Sequence, residues 1–295
     1  MSKPITDSFG DRMKGYEAAS DYKLPNRLPV ILRLDGNSFS KFTKQMAFKK
    51  PFDEVFTSAM WEAAKAVLKY CSGSQVAYVQ SDEITVLLRN DLTLDTDPFL
   101  ANRIGKICSL VASTASVTFC NYLNKLRVET NESDEGVSYI NTDNFIEAVF
   151  DLRAFIVPPN EVNNTFLWRQ QDAFKNCIST VVWYALKEKY GSKAAQKMLN
   201  GMNTNQRQEL IFQETGMNMN DYPIKYKRGV CIFKETKQIQ LADAYGPLKI
   251  DWTSPSESWI AQFNQQQIIT RSSFVVDENI PLFNEHPSYI NKFLG

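Results

Sequence analysis

Leu28-Pro-Val-Ile-Leu-Arg-Leu-Asp-Gly-Asn-Ser-Phe-Ser40 is an apolar run that stops abruptly at an acid, a glycine and two hydroxyl residues, the pattern of a buried strand delivering Asp35 to its end. A second stretch, Gln80-Ser-Asp-Glu-Ile-Thr-Val-Leu-Leu88, sets Asp82 and Glu83 between the β-rich runs Val76 to Val79 and Ile84 to Leu88 and reads as a hairpin. Between the two, Met60, Ala63, Ala64, Val67 and Leu68 recur at helical spacing, so the order is strand, helix, hairpin. A right-handed crossover then brings the first strand's end beside the hairpin tip. Carboxylates gathered there repel unless a cation lies between them, and hard oxygen ligands favour magnesium. Two such ions roughly 3.5–4 Å apart stabilise both the attacking and the leaving oxygen of an in-line phosphoryl displacement. Turn capping by Asp35 and Asp82 is the alternative that the local pattern leaves open.

Composition narrows the chemistry. The 295 residues are 43% hydrophobic with 19 Phe and 12 Tyr, enough to bury a sizeable core in one large domain or two modest ones. Lys plus Arg equals Asp plus Glu, 33 each, so any nucleic-acid surface is a local patch. No apolar run approaches the ~20 residues of a membrane span and the N-terminus lacks a signal-peptide core, so a cytoplasmic protein without membrane partners is expected. Cys71, Cys108, Cys120, Cys177 and Cys231 are scattered and never form a C-x-x-C pair, which fits reduced, packed thiols. The single histidine, His286, sits near the C-terminus, which excludes a central Ser-His-Asp or Cys-His centre. Catalysis falls to carboxylates and metal.

Along the chain, residues 1–27 are polar, with Tyr16 and Tyr22 as candidate anchors. Gly36 allows a tight turn after the first strand, and the N–H groups of Asn37, Ser38, Phe39 and Ser40 suit an anion nest. Asp97-Pro98 is expected to open a helix reaching about Leu126, buried through Ile104, Ile107, Cys108, Val111, Ala115 and Phe119, with Arg103 and Lys106 on its outer face. Residues 127–142 read as a loop, and Ala148 to Val157 as a strand with Asp151 and Arg153 on one side, ended by Pro158-Pro159. A second long helix is expected from Asn164 to Tyr190, with Trp168, Ile178, Val181, Val182 and Ala185 as its apolar positions. Ala194 to Leu199 and Asn205 to Thr215 read as shorter helices, the latter stopped by Gly216, and Gln267 to Val276 as a late strand.

The motifs, in order, are Arg33-Leu-Asp-Gly36 with Phe39, Phe48-Lys-Lys-Pro51 with Asp53, Gln80-Ser-Asp-Glu83, Arg103-x-x-Lys106 and Phe150-Asp-x-Arg153. Trp168-Arg-Gln-x-Asp172, Glu209-Leu-Ile-Phe212, Asn218-x-Asn220 and Lys227-Arg-Gly229 follow. This series resembles the tRNA-His guanylyltransferase family, including its Thg1-like relatives. The resemblance implies an α+β fold with a polymerase/cyclase-like palm, an antiparallel sheet with packed helices, plus additional helices and a C-terminal extension. We therefore expect a palm-like core over 1–157, a helical continuation over 158–235 and an extension over 236–295. It also implies a homotetramer that adds nucleotides to the 5′ end of tRNA in the 3′-to-5′ direction, with ATP or GTP activating the 5′ end and two Mg2+ ions assisting both phosphoryl transfers.

Carried over by position, Asp35 and Asp82 would hold the metals together with the Gly36 carbonyl, and Glu83 would complete the catalytic acids. Gly36, Asn37, Ser38, Phe39, Ser40, Lys50 and Ser81 would cradle the nucleotide triphosphate. Arg33, Asp53, Arg103 and Lys106 would meet a second nucleotide or the RNA 5′ phosphate, and Arg153, Arg169 and Asn176 the RNA. Where eukaryotic members carry His-Ile-Asn-Asn-Leu-Tyr-Asn, this chain has Phe174-Lys-Asn-Cys-Ile-Ser-Thr180, keeping only Asn176 in place. Ser40 likewise replaces the family's usual basic or histidine residue. The lost histidine favours the Thg1-like branch and template-directed tRNA 5′-end repair. A strict tRNA-His guanylyltransferase adding one G, and a catalytically idle RNA-binding protein, are the alternatives.

Overall fold

The computed structural model describes residues 8–132, 146–240 and 268–294. The helices are α1 Ser8–Ala18, α2 Phe39–Gln45, α3 Glu54–Tyr70, α4 Ile104–Glu132, α5 Val162–Tyr190, α6 Ser192–Leu199, α7 Thr204–Thr215, α8 Ile224–Arg228 and α9 Ser288–Asn291. The strands are β1 Val30–Gly36, β2 Ser74–Gln80, β3 Glu83–Leu88, β4 Phe150–Ile156, β5 Val230–Gln240 and β6 Ile268–Asp277, in the sheet order β4-β1-β3-β2-β5-β6. The α+β class and the antiparallel sheet expected from the sequence are both present.

β1 lies between β3 and β4, antiparallel to each, with Asp35 opposite Glu83 on one side and Asp151 on the other. Side chains alternate across a strand, so this register sorts the sheet into two faces. Leu32 and Leu34 face the layer of α3 and α4, where Phe39, Phe42, Phe56, Phe119 and Phe150 interlock with ring centroids 5.0–6.0 Å apart. Arg33 and Asp35 face the other way, in rows with Thr85 and Arg153, and with Glu83 and Asp151. α5 covers β2 and β3 on that second face through Phe166 against Tyr78 and Arg169 against Glu83. Asp151 and Arg153 on edge strand β4 stay exposed.

Several expectations change. α4 does not open at Asp97-Pro98: Leu100, Ala101 and Asn102 have φ of 50°, 52° and 56°, and the helix starts at Ile104. The cause is Asn102, whose buried amide donates to the Pro25 carbonyl and the Asn26 side chain and ties this turn to the segment before β1. α4 runs on to Glu132, so the loop expected over 127–142 begins later, and residues 133–145 lie outside the described residues. Tyr16 and Tyr22 are 72% and 71% exposed and anchor nothing by their rings, whereas backbone bonds Leu24 to Asn102 and Ile104 to Tyr22 hold the lead-in.

The chain divides into one unit of Met1–Ile232 with Val276–Gly295, and a second of Phe233–Val275. The stretch 236–295, expected as an extension, contributes to both units. Its last part returns to the first unit, where the Gln170 amide donates to the Pro281 carbonyl and accepts from the Phe283 N–H, and Ile280, Phe283 and Ile290 are buried.

Candidate active site

The hairpin turn is Ser81-Asp82, with Gln80 paired to Glu83 beneath it. The Gly36 N–H donates to the Asp82 carbonyl at 3.1 Å, so the end of β1 is sewn to the turn. Backbone strain gathers on both sides of this join, since Ser38 and Ser81 hold left-handed φ values of 58° and 49°. Gly36 is required there: a Cβ would lie 2.3 Å from the Phe39 ring, which the aromatic cluster fixes from below. Burial first, and then the neighbouring Asp35 charge, push the Asp82 carboxyl above its ordinary range, against bonds from its own N–H and the Ser81 hydroxyl.

A cleft of about 550 Å³ opens on one side of the turn. Ser40, Thr43, Lys44, Lys50, Ser81, Asp82 and Asn176 line it, with Trp61, Tyr184 and Tyr226 supplying aromatic walls. Lys50 donates to the Thr43 hydroxyl at 2.9 Å, and partial burial holds its ammonium below the usual lysine range, against the pull of Asp53 and Asp82. Phe52 stacks on Tyr226 with centroids 4.4 Å apart. The sequence reading missed Lys44, Trp61, Lys225 and Tyr226. The only advance signal for Lys225 and Tyr226 was the aromatic and basic mixture of Tyr222 to Lys227, which has no fixed spacing, and Lys44 and Trp61 had none.

On the other side lies an open shelf over β1 and β4. Arg33 and Arg153 sit opposite each other on one face of the ladder, and among the described residues neither has a carboxylate partner. Asp35 belongs to the same face, so the two acids join the cleft to the shelf.

Other expected site residues are placed differently. Glu83, expected among the catalytic acids, is 8% exposed, and its carboxylate accepts from Arg169 at 2.7 Å and from the Thr85 hydroxyl at 3.2 Å, so it is the buried partner of an arginine. Arg169 is itself buried and also bonds Asp172 at 2.8 Å, which removes it from any RNA surface. Burial alone would lower the Arg169 guanidinium, but the bonds to these acids outweigh it and raise it. Asp53 caps α3, with one oxygen accepting from the N–H groups of Val55 and Phe56 and the other from Lys49.

Phe39 is a core ring, and the Asn37 N–H is taken by the Val149 carbonyl, so of the expected nest only the first turn of α2 keeps N–H groups with no partner inside the helix. Arg103 pairs with Asp21 at 2.7 Å, lowering that carboxyl. Ser116 of α4 bonds the Phe150 N–H at the carboxylate end of the sheet, and Arg103 and Lys106 lie roughly 20 and 15 Å back along the helix, at about 1.5 Å per residue. Within one chain they are not brought to the acids. Asn218 and Lys227 are structural, since Asn218 caps its own turn and Lys227 is buried with its ammonium on the Asn220 carbonyl.

Comparison with known proteins follows the same lines. The family described as tRNAHis guanylyltransferase matches residues 10–158, and the Thg1 C terminal domain matches 160–279. The chain belongs to the tRNA(His) guanylyltransferase family. A bacterial Thg1-like protein solved in complex with ATP is 33% identical, with a TM-score of 0.73 over 97% of this chain and 99% of that one. A complex of a bacterial Thg1-like protein with GTP gives 32% and 0.68 over 98% and 99%. Uncharacterized protein R259 of Acanthamoeba polyphaga mimivirus is 30% identical over 80% of each chain. tRNA(His) guanylyltransferase 2 of Arabidopsis thaliana is 26% identical over 99% of this chain, which spans only 51% of that protein.

The donor set of this Thg1-family chain fits a hard divalent cation: the Asp35 charge acts on the buried Asp82 carboxyl, the Gly36 N–H sews the end of β1 to that turn, and a cation would relieve the burial and repulsion that raise Asp82. Among the described residues no three His, Cys, Asp or Glu side chains gather as a metal cluster. Among them, too, no helix is long and apolar enough to cross a membrane.

Proposed function

We propose that the protein is a magnesium-dependent 3′-to-5′ nucleotidyltransferase that restores truncated tRNA 5′ ends by pairing with the opposite strand. One observation carries this reading. The Asp35-Gly36 end of β1 is bonded to Asp82 through the Gly36 N–H, where a nucleotide-sized, lysine-bearing cleft meets an arginine-bearing face of β1 and β4. ATP and GTP in the related bacterial complexes support nucleotide binding here, and the missing histidine between Asp172 and Thr180 supports repair over strict guanylylation.

Asp35, Asp82 and the Gly36 carbonyl are the groups that would hold magnesium, which would neutralise charge developing on the phosphoryl oxygens. Lys50 and Lys44, with the Ser40 and Ser81 hydroxyls and the first turn of α2, hold the triphosphate in the cleft. Arg33 and Arg153 hold the RNA 5′ phosphate on the shelf. A 5′ phosphate so held attacks the α-phosphorus of the nucleotide, and pyrophosphate leaves. The 3′-hydroxyl of the next nucleotide then displaces the activating nucleotide from the RNA's 5′ phosphorus. The chain's part in both steps is alignment and charge compensation. The homotetramer implied by the family is the assembly proposed, readable by analytical ultracentrifugation.

The test is gel-resolved extension of a 5′-monophosphorylated, 5′-truncated tRNA transcript with ATP, magnesium and each nucleotide in turn. Addition opposite C73 exceeding addition opposite A73 supports repair, a single G regardless of the opposite base supports strict guanylylation, and no addition at all overturns both. Asp35→Ala and Asp82→Ala should each lower the rate by about 10²–10³ or more, because each strips charge compensation from the transition state.

A further inference from the structure

Trp168 is out of keeping with its helix. α5 buries Val162, Phe166, Ala173, Cys177, Ile178, Val181 and Val182, yet Trp168 keeps 51% of its surface open although the apolar pattern places it with the buried positions. Its ring is braced by Arg169, whose guanidinium lies 4.5 Å from the centroid and is pinned in turn by Glu83 and Asp172. Arg33, the shelf cation neighbouring Arg153, lies 5.6 Å from the same ring, near the outer limit of a cation–π contact. A half-open indole on a rigid support, beside Arg33 and its neighbour Arg153, which have no carboxylate partner among the described residues, sets open ring surface next to an anion site, the pairing by which proteins hold a nucleotide's base and phosphate together.

We infer that Trp168 is a stacking platform for the base of the RNA's 5′-terminal nucleotide, the one whose phosphate lies on Arg33 and Arg153. The inference rests on the function proposed above. A free triphosphate has its place in the enclosed cleft, where several lysines meet it. The shelf offers two guanidinium groups, enough for a monophosphate, and lies on β4, beyond which no further strand pairs among the described residues, so the end of a duplex fits there. Trp168 is thus a positioning residue that orients the 5′ phosphorus toward Asp35 without touching the reacting atoms.

The experiment measures binding of a 5′-monophosphorylated tRNA acceptor-stem hairpin and, separately, KM and kcat for hairpin and for ATP. Trp168→Leu keeps apolar bulk against Arg33 and Arg169 but has no π-face; Trp168→Phe keeps one. Stacking predicts that the leucine variant binds the hairpin about tenfold more weakly, with its KM raised likewise. ATP KM and melting temperature stay near wild type, and phenylalanine recovers most of the loss. Wild-type affinity in the leucine variant would show packing alone and overturn the inference. So would a loss confined to ATP, which assigns the ring to a free nucleotide. If the wild-type chain adds no nucleotide to RNA, the function proposed above fails, while the hairpin dissociation constants still decide whether Trp168 stacks on a phosphorylated RNA end.

Discussion

Asp82 and Glu83 are adjacent in sequence and opposite in use. A two-residue turn leaves Asp82 at the tip, beside Asp35 and the cleft, whereas Glu83 is the first residue of β3 and points into the α5 layer, where Arg169 takes it. Removing one partner of such a buried pair strands the other charge, so Arg169→Met should cost about 3–5 kcal/mol in urea unfolding. The double variant Arg169→Met with Glu83→Leu should recover most of that stability, because both desolvation costs vanish together. If the double variant is no more stable than the single one, the pair is not what destabilises Arg169→Met. That two acids meet at a hairpin was legible from the alternating runs around them. Which one faces Asp35 and the cleft was not, because the answer depends on pairing parity and on an arginine 86 residues further along. Trp168 was misread for a related reason: helical periodicity marks it apolar, but only the incomplete cover that α5 gives β1 and β4 leaves it open.

The elements around the site divide into those that follow from local pattern and those set from a distance. α3 and the buried stripe of α4 follow directly, since Met60, Ala63, Ala64, Val67 and Leu68, then Ile107, Val111, Ala115 and Phe119, are all buried at their expected spacing. The start of α4 does not, because the Asn102 amide is satisfied by backbone and side chain 77 and 76 residues upstream. Asp53 is local chemistry read as function: its resemblance to a nucleotide contact is accounted for by capping. Asp53→Ala should therefore lower stability by about 1 kcal/mol while leaving kcat and ATP KM of the folded enzyme within a few-fold. A loss of 10²-fold with the fold intact would return Asp53 to the nucleotide site. Gly36→Ala should behave in the opposite way. Its methyl would overlap a Phe39 ring that four neighbouring rings hold in place, so the join to Asp82 must shift, and melting temperature and extension should fall together.

At the scale of the molecule, a net charge of +0 conceals an uneven interior in which the buried titratable groups are mostly thiols and phenols. Burial pushes Cys71 and Cys177 up to about 12, and lifts Cys231, Tyr78 and Tyr289 as well. Their ordinary values, 9.0 for a thiol and 10.0 for a phenol, describe the unfolded chain, which therefore releases these protons at lower pH than the folded one does. Between the two values the folded state binds more protons, and stability falls as pH rises. The contribution of these groups is complete below about pH 8.5 and declines above it, each unit of separation being worth about 1.4 kcal/mol. Urea unfolding under reducing conditions should thus give a plateau near pH 7–8 and a loss of several kcal/mol by pH 11, with an unchanged m-value. Cys177→Val should flatten that decline by one group's share, because it removes one such proton while keeping the space filled between α5 and α8. A stability that stays level to pH 11 would mean that these side chains reach water in the folded protein, and with it that the packing of α5 on the sheet, on which the fixed positions of Arg169 and Trp168 depend, is looser than their burial implies.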